Sequence, residues 1–352
     1  MPTGPVVRIG RGGVMYAALD IGGTKIAGAL VDEEGGVVGR AQRPTPAKES
    51  AGVLMGAVNS VLDELARDPG WGIVQGLGIA SAGPVDTAAG AVSPVNIPAW
   101  RGFPLVDEVR AHPMLFAGIE PVLIGDAVAM AAAEHWLGAA RGFDDALCMV
   151  VSTGVGGGLV LDGRLRPGPS GNAGHIGHIT VDLDGEACPC GARGCVEGMA
   201  SGTAIARHAL ATGWVPPAGE PATAATVAQG ARRGDALALA AFDRAARALA
   251  AAIAATGSLV EIGVAVIGGG VAQAGDLLFT PLRRHLDSYA TLDFVRGLEV
   301  RPAALAQDAG LVGAAAAARL LADAPGPHRR LDPAPAKGRS AWRASAPRIT
   351  PA

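Results

Sequence analysis

The sequence predicts an α/β protein built of two domains, and three observations carry that prediction. Its 352 residues suffice for two hydrophobic cores, and 49% hydrophobic against 17% charged residues is the balance of a folded globular chain. Three apolar runs, a stretch of helical spacing and a further apolar run open the chain. A strand, a bare glycine-rich turn and a second strand then occur at two places, near the N-terminus and at mid-chain.

Residues 1–14 are rich in Gly, Pro and Arg without period and read as a disordered extension, which makes Met15 a candidate natural start. Apolar runs at 15–20, 26–32 and 36–43 predict three strands, the last two joined by the turn Asp32-Glu33-Glu34-Gly35-Gly36. Residues 50–66 have helical spacing, and 74–80 read as a buried strand. Three strands, a helix and a strand are the opening of a ribonuclease-H-like domain. Residues 121–125 predict another short strand, and 127–139 an Ala-rich helix carrying Glu134 and Trp136. A second domain starts near Ala146 with strands over 146–151 and 159–161. Residues 199–257 favour helix, interrupted at 213–221 by Pro and Gly. Residues 264–267 predict a strand ending in Gly268-Gly269-Gly270, and 309–322 a last Ala-rich helix. From Asp323 onward six Lys or Arg stand against two Asp among Pro and Ala, and 323–352 read as a disordered, solvated tail.

Composition narrows the function classes. A net charge of −3 offers no electrostatic footprint for nucleic acid or for a membrane surface. No apolar stretch approaches a membrane span, and the first fifteen residues contain no hydrophobic core of a signal peptide. Four cysteines, three of them clustered near histidines, suit a reducing compartment better than a disulfide framework. The expectation is a cytoplasmic protein without nucleic-acid or membrane partners.

The two glycine turns are Asp20-Ile21-Gly22-Gly23-Thr24-Lys25 and Ser152-Thr153-Gly154-Val155-Gly156-Gly157-Gly158. Glycine lets backbone N–H groups approach an anion, while Thr24, Lys25, Ser152 and Thr153 add hydroxyls and a cation. Two such hairpins facing each other could grip a nucleotide triphosphate from both sides. Either turn alone also suits an ordinary hairpin, and neither matches a P-loop or the dinucleotide glycine fingerprint.

Cys188, Cys190 and Cys195 lie within eight residues, closely behind His175 and His178. Three thiolates and one imidazole complete a tetrahedral zinc shell, and a closed four-ligand shell leaves no position for water activation. Such a zinc is structural. The same spacing suits a set of free thiols.

In their order along the chain these motifs, together with Ser81-Ala82-Gly83-Pro84-Val85-Asp86, Asn96-Ile97-Pro98-Ala99-Trp100, Asp126, Ala173-Gly174-His175-Ile176-Gly177-His178, Glu197 and Gly268-Gly269-Gly270, resemble the ROK family of sugar kinases and repressors within the actin-like ATPase and sugar-kinase superfamily. The resemblance spans residues 15–321. It implies two ribonuclease-H-like domains with a cleft between them and a zinc-stabilised loop over 175–197. The N-terminal domain would cover 15–125, completed by helix 309–322, and the C-terminal domain 126–308. It also implies ATP, Mg²⁺ and structural Zn²⁺ as cofactors, a sugar as substrate, and a homodimer. Asp126 falls on the family's catalytic carboxylate, although its position after a strand and before a helix equally suits an N-cap. Asp20 would orient magnesium-bound water. Gly22, Gly23, Thr24, Lys25, Thr153, Gly154, Gly156, Gly269 and Gly270 would serve ATP. Asn96, Asp126, His175, His178 and Glu197 would line the sugar pocket. His178 would also complete the zinc shell with Cys188, Cys190 and Cys195.

Two positions depart from the usual family pattern. His175 stands where most family kinases carry Glu, and the signature Ala-Gly-His-Ile-Gly-His is familiar from bacterial N-acetylmannosamine kinases. Gly125 stands where these kinases usually carry Asn before the catalytic Asp. The expected function is transfer of the ATP γ-phosphate to the 6-hydroxyl of a hexose or N-acylhexosamine, with N-acetylmannosamine and glucose the first substrates to test. Two alternatives are a catalytically weak sugar sensor and a ROK-type regulator lacking its DNA-binding domain. Only 19 residues precede Asp20, too few for a three-helix DNA-binding unit.

Overall fold

A computed structural model describes residues 13–305 and 308–322. The expected tail 323–352, and the extension 1–14 except its last two residues, lie outside the described residues. The first half contains β1 (Met15–Ile21), β2 (Lys25–Asp32), β3 (Val37–Pro44), α1 (Ala51–Leu65), β4 (Val74–Ser81), the two-residue strands β5 (Val85–Asp86) and β6 (Ala91–Val92), α2 (Leu105–Arg110) and β7 (Pro121–Gly125). After α3 (Asp126–Trp136) come β8 (Ala146–Val151), β9 (Val155–Leu161), β10 (Arg164–Leu165), α4 (Glu197–Ala200), α5 (Gly202–Ala211), α6 (Ala224–Arg232), α7 (Ala236–Val260), β11 (Val264–Gly268), α8 (Asp276–Tyr289), β12 (Glu299–Pro302) and α9 (Ala309–Ala322).

Two five-stranded sheets share one topology. Their orders are β3-β2-β1-β4-β7 and β10-β9-β8-β11-β12. In each, an antiparallel meander supplies three strands and two parallel strands extend the other edge. This is the ribonuclease-H-like arrangement twice over, as the opening element order predicts.

Strand alternation decides the layers. Ala17, Leu19 and Ile21 of β1 face one side of the first sheet with Leu54, Val58, Val61 and Leu62 of α1. Tyr16 and Ala18 face the other side, against Leu311, Ala314, Ala315 and Ala318 of α9. The period of two sends alternate residues to opposite faces, so a sheet covered on both faces needs both sets apolar. Helix α1 meets it with the helical spacing Leu54, Met55, Val58, Val61, Leu62 and Leu65.

The last helix therefore returns to the first sheet and packs on α3, which in turn covers the second sheet through Met130, Ala131 and Ala133. Small residues let these layers approach closely. A Cβ on Gly78 of β4 would overlap the Ala314 carbonyl of α9, and one on Gly313 of α9 would overlap the Ala129 carbonyl of α3. The Ala-rich composition of both helices thus has a packing cause. Glu134, fully buried on α3, accepts hydrogen bonds from the N–H groups of Ala139 at 2.7 Å, Ala304 at 3.0 Å and Leu305 at 2.9 Å. One buried carboxylate thereby fixes the chain leading into α9, with its charge satisfied by three donors.

Candidate active site

Asp20 and Asp126 lie at the C-terminal ends of β1 and β7 in the first sheet, and Ser152 and Gly269 follow β8 and β11 in the second, at the strand ends where α/β folds place ligands. The first turn, between β1 and β2, is closed by the Gly22 N–H donating to the Lys25 carbonyl at 2.9 Å. Thr45 pins it from β3, its N–H donating to the Thr24 carbonyl at 3.0 Å and its hydroxyl to the Gly22 carbonyl at 2.7 Å. Gly23 lies so close to the Asn96 side chain that a Cβ would overlap the amide. A residue expected for the sugar and a residue expected for phosphate are therefore neighbours.

Asp20, at the end of β1, faces the first turn of α9, where a Cβ on Gly310 would overlap its carboxylate. Burial pushes its carboxyl up to about 6, opposed by the Lys25 ammonium and reinforced by the Asp126 carboxylate. Two carboxylates thus feel each other at the ends of neighbouring chain segments. The N-terminus of α9 offers partial positive charge to this site.

Asp126 is the first residue of α3, and the cap position itself belongs to Gly125, which makes no side-chain cap. The carboxylate accepts the Ala127 N–H at 2.7 Å. Burial raises its pKa, while the Ala127 N–H and the nearby His175 pull it down. The residue as a whole is exposed, so burial raises its carboxyl against that access of solvent. Gly125 has φ −70 and ψ 152, a conformation any residue adopts, and its missing Cβ would meet nothing nearer than 4.0 Å. Neither backbone nor packing requires glycine there.

The second turn, Ser152 to Gly154, joins β8 to β9 and closes through the Ser152 N–H and the Gly154 carbonyl at 2.8 Å. Its Thr153 is exposed. Glu197, at the start of α4, accepts the Val155 N–H at 2.9 Å and lies against Gly154. Gly156 falls inside β9, and its vacant side-chain space belongs to Ala127 of α3. Gly157 and Gly158 likewise admit Ile176 and Ala131. Much of the glycine run therefore lets α3 and the 174–176 segment press on β9. Gly269, with φ +90 and a position where a Cβ would overlap the Val151 carbonyl, turns the chain at the end of β11, and Gly270 beside it is open. A groove of about 230 Å³ adjoins Gly270, lined by Val271, Gln273 and Phe242 and by Ala224, Ala228 and Gln229 of α6.

His178, Cys188, Cys190 and Cys195 converge, with ligand atoms all within 4.8 Å of one another. The Cys188 Sγ to His178 Nδ1 and Cys190 Sγ to Cys195 Sγ distances are both 3.8 Å. A tetrahedral ion with Zn–S of about 2.3 Å and Zn–N of about 2.0 Å requires edges of about 3.8 Å between sulfurs and about 3.5 Å between sulfur and nitrogen. The donor set fits zinc. Burial, then the adjoining Cys188 and Cys190 sulfurs, pushes the Cys195 thiol up to about 12, so joint ionisation of the three needs a cation among them. The loop is tied by Cys188 N–H to the Ala192 carbonyl at 2.8 Å and by Val196 N–H to the Ile179 carbonyl at 3.0 Å. Its ends carry His175 and Glu197, so the cluster braces two cleft residues.

The His175 ring places Nδ1 2.8 Å from the Asn172 carbonyl. A carbonyl only accepts, so Nδ1 carries a proton and donates it there, and in the neutral form of the ring Nε2 is left as an acceptor. One ring nitrogen is therefore engaged by the loop backbone, and only the other is left to meet a substrate.

Residues 16–320 match the sequence model of the ROK family. The chain belongs to the ROK family. It is 38% identical over 302 residues to an N-acetylmannosamine kinase of Yersinia pseudotuberculosis, covering 86% of this chain and 97% of that one. It is 35% identical over 308 residues to a glucokinase of Thermotoga maritima, covering 84% and 95%. A ROK family glucokinase from Streptomyces griseus, solved in complex with glucose and AMPPNP, has a TM-score of 0.70 and 33% identity, covering 87% of this chain and 99% of that one.

Within this ROK chain, the sequence motifs identify the two turns, both carboxylates and the thiol cluster. They miss Asn172, the Gly310 contact with Asp20 and the α6 groove. Asn172 is the one amide in a Gly- and Pro-rich loop, and the groove is lined largely by Ala and Gln with no motif of their own.

Proposed function

We propose that this ROK protein is an ATP-dependent sugar kinase that transfers the γ-phosphoryl group to the 6-hydroxyl of a hexose or N-acylhexosamine, N-acetylmannosamine and glucose being the first candidates. What supports the reading is that Asp126, its carboxyl raised by burial, lies close enough to Asp20 to raise that carboxyl in turn, while Asp20 also feels Lys25 of the first glycine turn. Its relatives bear kinase names, which favours a kinase over a silent sensor or a regulator.

In this reading Asp126 accepts the hydroxyl proton as that oxygen attacks the γ-phosphorus, and the bond from phosphorus to the β-phosphate oxygen breaks. A base raised toward working pH is better matched to this task than an ordinary carboxylate. Backbone N–H groups of Gly23, Thr24 and Gly154 would align the phosphates, and the groove beside Gly270 would take the adenosine end. The buried Asp20 carboxylate fits an Mg²⁺-bound water, and Mg²⁺ would neutralise charge on the transferred group. Asn96, His175, His178 and Glu197 would face the sugar, with zinc at His178, Cys188, Cys190 and Cys195 holding their loop. A homodimeric, cytoplasmic enzyme completes the reading.

Product detection with ATP, Mg²⁺ and a panel of hexoses and N-acylhexosamines tests it. A 6-phosphorylated product from at least one sugar is expected. Sugar binding without any phosphorylated product would return the chain to the sensor reading.

A further inference from the structure

The two groups expected at the reacting end of the sugar come from different halves of the molecule. Asp126 follows β7 of the first sheet, and His175 sits on the loop after β10 of the second. Something must hold one in register with the other. The seam between the loop and β5 does so. The Asn172 side chain pairs with the Val85 backbone as a neighbouring strand would, its Oδ1 accepting the Val85 N–H at 3.2 Å and its Nδ2 donating to the Val85 carbonyl at 2.7 Å. The Thr87 N–H donates to the Ser170 carbonyl at 3.2 Å, extending the seam by one backbone bond. Gly171 between them has φ +89, and a Cβ there would overlap the Thr87 side chain, so only glycine lets the loop lie this close.

The same Asn172 supplies the carbonyl that takes the His175 Nδ1 proton at 2.8 Å. Its amide also donates to the Ser170 carbonyl at 3.2 Å and hydroxyl at 3.1 Å, which stiffens the loop around it. One residue therefore joins the halves and takes the Nδ1 of His175, leaving Nε2 as the ring nitrogen without that bond.

We infer that Asn172 is a positioning residue for sugar recognition: by pairing with Val85 it registers His175 against Asp126 across the junction and fixes the His175 tautomer that presents Nε2 to the substrate. The inference rests on the sugar-kinase reading. It predicts a selective defect, because the seam's hydrogen bonds run among Val85, Thr87, Ser170 and Asn172 and none of them goes to Gly22 to Lys25 or to Ser152 to Gly154. Asn172→Ala loses both bonds to Val85. Asn172→Asp retains an acceptor for the Val85 N–H but sets a carboxylate against the Val85 carbonyl, so it should be the worse of the two.

The test measures KM for sugar and for ATP in wild type, Asn172→Ala, Asn172→Asp, His175→Ala and the Asn172→Ala/His175→Ala double variant, with a sugar that wild type phosphorylates. Asn172→Ala should raise the sugar KM about tenfold, Asn172→Asp more, with the ATP KM within about twofold of wild type. In the His175→Ala background the Asn172→Ala effect on sugar KM should largely vanish, since the residue acts through that ring. An unchanged sugar KM in Asn172→Ala would overturn the inference. So would a tenfold effect that persists without His175, or equal rises in both KM values. Absence of any product from wild type would refute the kinase reading itself, a result distinct from all of these.

Discussion

Asp20→Asn should stabilise the nucleotide-free protein at neutral pH while removing its activity. The carboxyl sits at about 6 in the folded chain against an ordinary 3.8, chiefly because burial disfavours its charge. A pKa raised on folding contributes stability that is fully present below the unfolded value and is lost as pH rises through the folded one. For Asp20 that window runs from 3.8 to about 6. Each pH unit is worth about 1.4 kcal/mol, so the ionised group costs the fold at most about 3 kcal/mol at pH 7.5 and about half of that at pH 5. Asparagine has nearly the same shape and no charge, so it avoids that cost at every pH. Solvent reaching the carboxylate and the amide's extra donors reduce the gain to about 1–3 kcal/mol, or about 2–6 °C in Tm. Thermal or urea unfolding of wild type and variant without Mg²⁺ and nucleotide, at pH 7.5 and pH 5, reads it directly. A variant less stable than wild type at pH 7.5, or an advantage that does not shrink at pH 5, would refute the argument that burial of charge dominates at this site.

Asp126→Asn should lower kcat by about 10² to 10⁴ with little change in ATP binding, and wild-type kcat should fall on the acid side with a midpoint above 3.8, because burial raises this carboxyl. Near-normal turnover in the variant would leave Asp126 with only its bond to Ala127. Protein purified without added zinc should carry about one equivalent, and Cys190→Ser should lose it together with thermal stability and sugar affinity, as metal analysis and calorimetry would record. Folded, active protein free of metal would contradict the site. His175→Glu should change the ratio of kcat/KM for N-acetylmannosamine and glucose by about tenfold or less, since both side chains present an acceptor and differ mainly in charge and reach. A change of several powers of ten would mean that the imidazole donates to the sugar after all.

The strands, the two turns and the thiol cluster were legible in the sequence because each is a local pattern. Alternating or continuous apolar runs mark β1, β2, β4, β8 and β11, and three cysteines within eight residues, closely behind His178, already confine the ligands to one loop. Helix α8 and strand β12 were not anticipated. The helix carries Pro281 inside it and is held by packing Leu278, Phe279, Leu282 and Leu286 into the second core, while β12 is a short edge strand with only Val300 buried. Local propensity is weak there and tertiary burial wins.

At the site, sequence alone determined which chemistry is present: two carboxylates, a lysine, hydroxyls, imidazoles and a four-ligand metal set. Only the tertiary structure decided how those groups are used. It gave Gly156 to the packing of α3, set Glu197 against the second glycine turn, placed Asp126 inside the helix rather than at its cap, and spent the His175 donor on Asn172. Each outcome depends on atoms far apart along the chain. Spacing in sequence limits what a residue can offer, but a hydrogen bond or a desolvated charge exists only once the fold has chosen its neighbours.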